Sequence, residues 1–221
     1  MFDPVIFDMD GTLVDSFEAI LLAFNHAMEK MGRPKVTHDE LLPVIGVALK
    51  DIFRLYLPEE RVGEAVDHYR TYQAGIILQR TRVLDGVLLT LQELFKMGVT
   101  MGVVTNKPVD VALRVLDHVK LGRFFGAVVG VDEVSRPKPD PEGLYLCLSR
   151  LGKTAAQCLY VGDSHIDMDT ALAAGVEFRL VPTGAVGADD LRRRAKQRVI
   201  SGLPELLECY CRNDNDCSDQ R

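Results

Sequence analysis

Several features that would take this chain out of water are missing from it. No stretch reaches the roughly 18 consecutive apolar residues of a membrane span, and the N-terminus has no charged segment running into an apolar one, so no leader is expected. Positive charge is not in excess: 26 Lys and Arg against 32 Asp and Glu leave a formal charge of −6. That balance offers no general attraction to nucleic acid or to an anionic membrane, and any anionic ligand would need local cations or a metal. No internal repeat is visible. Cysteine is sparse and odd in number, at five. Cys147 and Cys158 read as small buried apolar residues. Cys209, Cys211 and Cys217 fit no standard zinc spacing and have no clear fourth ligand, so they read as reduced thiols near a frayed end. A cytoplasmic protein, monomeric or homodimeric, with no nucleic-acid or membrane partner, is expected.

What remains is an ordinary globular composition, 221 residues with 47% hydrophobic, enough for one large domain or one domain with a smaller companion. Val5-Ile6-Phe7 reads as a strand buried on both faces. From Ser16, a candidate helix cap, to about residue 80 the spacing is helical throughout. The turns fall at Gly32-Arg33-Pro34, Gly46 and Pro58, and a capping-box spelling begins at Thr37. From Leu84 onward strands alternate with helices: strands near 100–105, 127–130, 158–162 and 178–181, helices near 87–97, 108–120, 141–151, 167–174, 187–196 and 203–210. Such alternation with short connections specifies a parallel sheet. The expected organisation is an α/β core of residues 1–15 and 82–211, interrupted by an all-helical cap of residues 16–81 that sits over the sheet edge as a lid. Residues 212–221 are almost devoid of apolar side chains and are expected to be a flexible tail. The lid hinges fall at Val14-Asp15-Ser16 and Arg82-Val83-Leu84.

The chemistry gathers where the strands end. Asp8 and Asp10, two apart at the end of the first strand, project in the same general direction, and Gly11 allows a sharp turn and close backbone approach. An Asp-Gly turn with incidental acids is the plainer explanation of that stretch alone. Three further strands, however, deliver Thr105-Asn106-Lys107, then Lys138-Pro139-Asp140-Pro141, then Gly162-Asp163 with Asp167. Parallel strands share one carboxyl edge, and ligands of open α/β sheets bind there.

These four motifs, in this order, make the chain resemble the haloacid dehalogenase-like superfamily, and most closely its phosphoglycolate phosphatase-type branch with a helical cap. The resemblance implies a Rossmann-like core and Mg²⁺-dependent hydrolysis of a small phosphomonoester through an aspartyl-phosphate. It implies Asp8 as nucleophile, Asp10 as the acid and base, Thr105 and Lys138 as partners of the phosphoryl group, and Mg²⁺ held by Asp8, the Asp10 carbonyl and Asp163. Gly11, Thr12, Asn106 and Asp167 would support them. Thr12 would hold Asp10 aside, and Asp167 would hold metal-bound water or orient Lys138. Dehalogenases lack an acid at the place of Asp10, so phosphate ester chemistry is the expectation. In the cap, relatives place a specificity loop at Gly46 to Lys50, where Lys50 could meet a substrate carboxylate, with Arg54 and Arg70 as weaker candidates. Lys107 could also touch the substrate. A phosphotransferase of the β-phosphoglucomutase type, an inorganic pyrophosphatase and a non-catalytic phospho-ligand binder are the alternatives.

Overall fold

A computed structural model describes residues 1–184 and 186–211. The expected tail, 212–221, and with it Cys217, lies outside the described residues. Strands β1 (Val5–Phe7) and β2 (Val14–Asp15) are followed by helices α1 (Phe17–Lys30), α2 (His38–Leu41), α3 (Leu49–Arg54) and α4 (Glu59–Ile76). The chain returns through β3 (Arg82–Val83) and then alternates: α5 (Val87–Lys96), β4 (Met101–Val104), α6 (Val109–His118), β5 (Ala127–Val129), α7 (Glu142–Leu151), β6 (Leu159–Gly162), α8 (His165–Ala174), β7 (Glu177–Leu180), α9 (Ala188–Ala195) and α10 (Glu208–Cys211).

Five strands form one sheet in the order β5-β4-β1-β6-β7, every pairing parallel. β1 is central, and all three of its residues are fully buried, as its unbroken apolar spelling requires. Side chains alternate between faces. Val5 and Phe7 join Met101, Val103, Leu159 and Val161 in one core. Ile6 joins Val104, Tyr160 and Leu144 in the other. The helices α1 to α4 enclose a third core, with Phe24 stacked on Phe53 at 4.5 Å between ring centres. Cys147 and Cys158 are buried and free, as expected.

Register decides where the site falls. Phe7 is level with Val103 on one side and Val161 on the other. The next residues along, Asp8, Val104 and Gly162, are therefore level with one another, Asp8 just past the end of β1 and the other two the last residues of β4 and β6. Thr105 and Asp163 flank Asp8 one step further on.

Three local expectations are corrected. Ser16 makes no capping bond to α1; Asp15 Oδ1 accepts the Phe17 N–H at 3.1 Å instead, and the Ser16 hydroxyl goes to Asp10. The sequence spacing predicts a helix from Leu49 to Leu57, but α3 stops at Arg54, because Leu55 and Tyr56 bond back only three residues, to Ile52 and Phe53. α8 starts at His165, two residues early, because Ser164 and Asp167 cap it reciprocally. The segments expected as hinges are paired antiparallel as β2 and β3, closed by Arg82 on Asp15 at 2.9 Å. The two chain passages into and out of the helical segment thus run as one ribbon.

Candidate active site

Asp8 lies at the carboxyl end of β1 on the same face as Ile6 and Tyr160, and is 4% exposed. On that face its Oδ1 accepts from Lys138 Nζ at 2.7 Å. Lys138 also donates to Asp167 Oδ1 at 2.7 Å and to the Tyr160 hydroxyl at 3.2 Å. A buried ammonium is costly unless carboxylates surround it. Here burial works to lower the Lys138 pKa, but Asp167 and Asp8 outweigh it and hold it well above the usual lysine value. Asp167 spends both oxygens within the protein: Oδ1 on Lys138 and Tyr160, Oδ2 on the N–H groups of Asp163 and Ser164 and the Ser164 hydroxyl at 2.6 Å. It is an anchor that orients Lys138.

Asp163 stands across from Asp8. Thr12 Oγ1 donates to its Oδ1 at 3.1 Å, which corrects the expectation that Thr12 holds Asp10. Two glycines make room for the other oxygen. A Cβ on Gly11, whose φ is +86°, would come within 2.5 Å of Asp163 Oδ2, and one on Gly184 within 1.6 Å. Either would overlap the carboxylate. Thr183 Oγ1 ties this loop to the Gly11 carbonyl at 2.6 Å.

Asp10 is held by other residues. Lys107 Nζ lies 2.9 Å from its Oδ2, and the Ser16 hydroxyl donates to its Oδ1. Lys107 is therefore the partner of Asp10 in this structure rather than a free substrate contact. Thr105 is buried, and its hydroxyl oxygen accepts the Lys107 N–H at 3.2 Å, leaving the hydroxyl proton to the cleft it lines. Asn106 ties the core to the helical segment. Its carbonyl oxygen accepts the Lys138 N–H at 3.0 Å, while its amide donates to the Lys138 carbonyl at 3.1 Å and to the Gly46 carbonyl at 2.8 Å.

Above the acids a cleft opens between the sheet edge and α1, α3 and α4. Asp8, Asp10, Thr105, Asn106 and Lys107 form its floor; Ile20, Ile45, Gly46, Leu49, Ile52 and the pair Tyr69 and Gln73 form the rest. Lys50 is exposed and lines an adjoining space together with Arg70 and Arg54. Arg54 is already paired with Glu59 at 2.7 Å and with Asp51. His165 points to Asp190, its Nε2 2.5 Å from Oδ2.

Metal ligation can be judged from the donors present. Asp8, Asp163 and Asp167 bring oxygens within 4.8 Å of one another. Lys138 supplies one positive charge against three buried carboxylates. Asp8 Oδ2 and Asp163 Oδ2 have no hydrogen-bond partner among the described residues. All-oxygen donors with uncompensated negative charge suit a hard divalent cation. The set fits Mg²⁺.

Five parallel strands with a carboxylate and lysine cluster at their carboxyl edge, roofed by a helical segment, define a Rossmann-like α/β fold with a polar edge site. The chain belongs to the haloacid dehalogenase-like hydrolase family, which it matches over residues 5–181. It is 37% identical over 211 residues to a phosphoglycolate phosphatase of Pseudomonas savastanoi pv. phaseolicola, covering 92% of this chain and 78% of that one. It is 32% identical over 203 residues to the pyrophosphatase PpaX of Bacillus velezensis, covering 92% and 94%. A crystal structure of a haloacid dehalogenase-like hydrolase from Bacteroides fragilis superposes with a TM-score of 0.88 at 30% identity, over 93% of this chain and all of the other.

Tyr160, Gly184, Tyr69 and Gln73 are not singled out by the sequence, and Ser16 is singled out there only as a helix cap and hinge residue. Tyr160 had a visible signal, a hydroxyl inside an otherwise aliphatic strand. The others are brought to the site only by tertiary packing.

Proposed function

We propose that this chain is a Mg²⁺-dependent phosphatase for a small phosphomonoester, working through a phosphorylated Asp8. The observation that carries this reading is the buried Lys138, 2.7 Å from Asp167 and 2.7 Å from Asp8, which stands on the floor of an open cleft. One oxygen of Asp8 is fixed by the lysine and the other is free to attack.

In the first step the free Asp8 oxygen bonds to phosphorus as the ester P–O bond breaks, and Asp10 gives its proton to the departing alkoxide. In the second, water attacks the same phosphorus and passes its proton to Asp10, and the Asp8 acyl phosphate breaks to carboxylate and inorganic phosphate. Lys138 and the Thr105 hydroxyl offset the charge on the phosphoryl oxygens through both steps. Ser16 and Lys107 keep the Asp10 carboxyl at the cleft wall between steps. Asp8, Asp163 and the Asp10 carbonyl would hold Mg²⁺, which supplies charge neutralisation when bound. Phosphate release measured over phosphoglycolate, sugar phosphates, nucleotides and pyrophosphate, with Mg²⁺ and with EDTA, tests the reading. Release that EDTA abolishes is expected. No release from any member, or release that EDTA leaves intact, would overturn it, and isomerisation of a sugar phosphate without net phosphate would establish the mutase instead.

The metal assignment has a test that needs no turnover. Burial, only partly offset by Lys138, pushes Asp8 up to about 7, and burial with the charges of Asp167 and Asp8 raises Asp163 well above the usual carboxylate range. An acid whose folded pKa exceeds its unfolded one costs stability as pH rises, here from about 4 through about 7. A divalent cation competes with those protons, so its stabilisation grows over the same window. Asp167, held low, and Lys138, held high, do not titrate there. Mg²⁺ is expected to raise Tm more at pH 8 than at pH 5.5. Equal shifts, or none, would remove the assignment.

A further inference from the structure

The helical segment meets the α/β core through few polar contacts. Apart from the β2–β3 ribbon and the Ser16 hydroxyl on Asp10, one hydrogen bond and no ion pair join them among the described residues. In that bond Asn106 Nδ2 donates to the Gly46 carbonyl at 2.8 Å. Gly46 lies in the turn before α3 at φ +92°, a left-handed conformation that strains any residue with a side chain. Space is not what requires glycine there. A Cβ would meet only Ser164 Oγ and Ile166 Cδ1, each at 3.7 Å, an ordinary contact. Gly46 is needed for its backbone path, and that path presents its carbonyl to Asn106 while the turn rests on the start of α8.

Asn106 is engaged on its other side as well. Its Oδ1 accepts the Lys138 N–H at 3.0 Å and its Nδ2 donates to the Lys138 carbonyl at 3.1 Å. These two bonds clamp the backbone of the residue that carries the buried ammonium. Lys138 stands between Pro137 and Pro139, which have no N–H to anchor the segment. Its own N–H and carbonyl make no other hydrogen bond among the described residues. A side-chain amide has two N–H donors. In Asn106 one goes to Lys138 and one to Gly46, so both are satisfied only while the Gly46 turn is seated. Lifting the helical segment would strand one of them and free the amide to rotate away from Lys138. The same side chain therefore senses the helical segment and holds the segment that places the cation beside Asp8.

We propose that Asn106 is a positioning residue that couples the seating of the helical segment to the placement of Lys138. Its consequence for turnover rests on the phosphatase reading; the coupling itself rests on the geometry. Two substitutions separate the bonds. Asn106→Ala removes all three, whereas Gly46→Ala drives the turn off its left-handed path and leaves Asn106 its two bonds to Lys138. The flanking prolines isolate the Lys138 amide, so its hydrogen exchange is a single-site reporter of local opening. Gly46→Ala, a change in the helical segment, is expected to speed exchange at Lys138 by about 2- to 10-fold, the worth of one hydrogen bond. Asn106→Ala, a change in the core, is expected to speed exchange at Ile45 and Val47, while β1 and β4 keep wild-type rates and report the fold. On the ester released fastest by wild type, Asn106→Ala is expected to lower kcat about 10-fold or more, as misplacing a catalytic group does. The double variant should lose no more than Asn106→Ala alone, because the two changes break one chain of contacts. Wild-type exchange at Lys138 in Gly46→Ala, or losses that multiply in the double variant, would overturn the coupling and leave the phosphatase reading standing. If Gly46→Ala does not fold, wild-type exchange at Ile45 and Val47 in Asn106→Ala overturns it instead. Phosphate release from no substrate would overturn the phosphatase reading, and the exchange rates would still decide the coupling.

Discussion

Asp8→Asn is expected to lower kcat by at least about 10⁴-fold, a loss of the order seen when a covalent nucleophile is deleted, without unfolding the protein. The two side chains have the same shape, so the surrounding packing is undisturbed. Lys138 keeps Asp167 at 2.7 Å and the Tyr160 hydroxyl, so the ammonium is not stranded. Removing one of three crowded carboxylates also relieves the repulsion that raises Asp163, to which Asp8 contributes. The metal-free variant should therefore melt no lower than wild type at pH 8, while gaining less from added Mg²⁺. Acid-quenched wild type in mid-turnover should carry an acyl phosphate that the variant cannot form. Steady-state release, the quench and a melting curve together check the prediction. Turnover within 10-fold of wild type would exclude the covalent route, whatever the melting temperature did.

The parts of this site that could be read from the sequence are those fixed by strand ends. The motifs at Asp8, Thr105, Lys138 and Asp163 announce themselves because an apolar run stops at a polar residue, and a parallel sheet can only bring such stops to one edge. The α/β alternation and the helical stretch from Ser16 to about residue 80 were legible for the same reason: period 2 and period 3.6 are local properties. Partner choice was not. Thr12 and Ser16 are both hydroxyls within reach of the same loop. The loop's turn sends Thr12 to Asp163 and Ser16 to Asp10, a matter of backbone path rather than residue type. Lys107 likewise reads as a loop lysine until β4 and β1 are set side by side, when it faces Asp10. Gly184 carries no message in its own segment, because the carboxylate it accommodates belongs to the loop after another strand. Tyr69 and Gln73 look like two more polar residues on a charged helix, and only the closure of α4 over the sheet edge turns them inward.

Lys138→Met is the substitution with the largest expected effect on stability. Its side chain is 3% exposed, and it is the one cation in direct contact with Asp8 and Asp167 among the described residues. Methionine matches the unbranched stem, so no large cavity opens and the lost charge dominates. Stranding a buried partner in this way costs about 3–5 kcal/mol. At about 2–4 °C per kcal/mol for a chain of this size, the metal-free protein should melt roughly 6–20 °C lower. The sign of its pH dependence separates a charge effect from a packing one. In wild type, Asp167 is held low, because Lys138 and the Ser164 bonds outweigh burial, so its contribution is present above pH 4 and lost only below. Lys138, held high, contributes at every pH below the usual lysine value and is lost only above it. Neither contribution changes between pH 5.5 and 8. Without the ammonium, burial governs Asp167 as it already governs Asp163, and its folded pKa moves above the unfolded one. The variant then takes up protons on folding, and its deficit shrinks as pH falls. The gap in Tm between wild type and Lys138→Met should accordingly be wider at pH 8 than at pH 5.5. A gap that does not move with pH would mean that Lys138 acts by packing alone. That result would also deprive the phosphoryl group of the cation on which the proposed reaction depends.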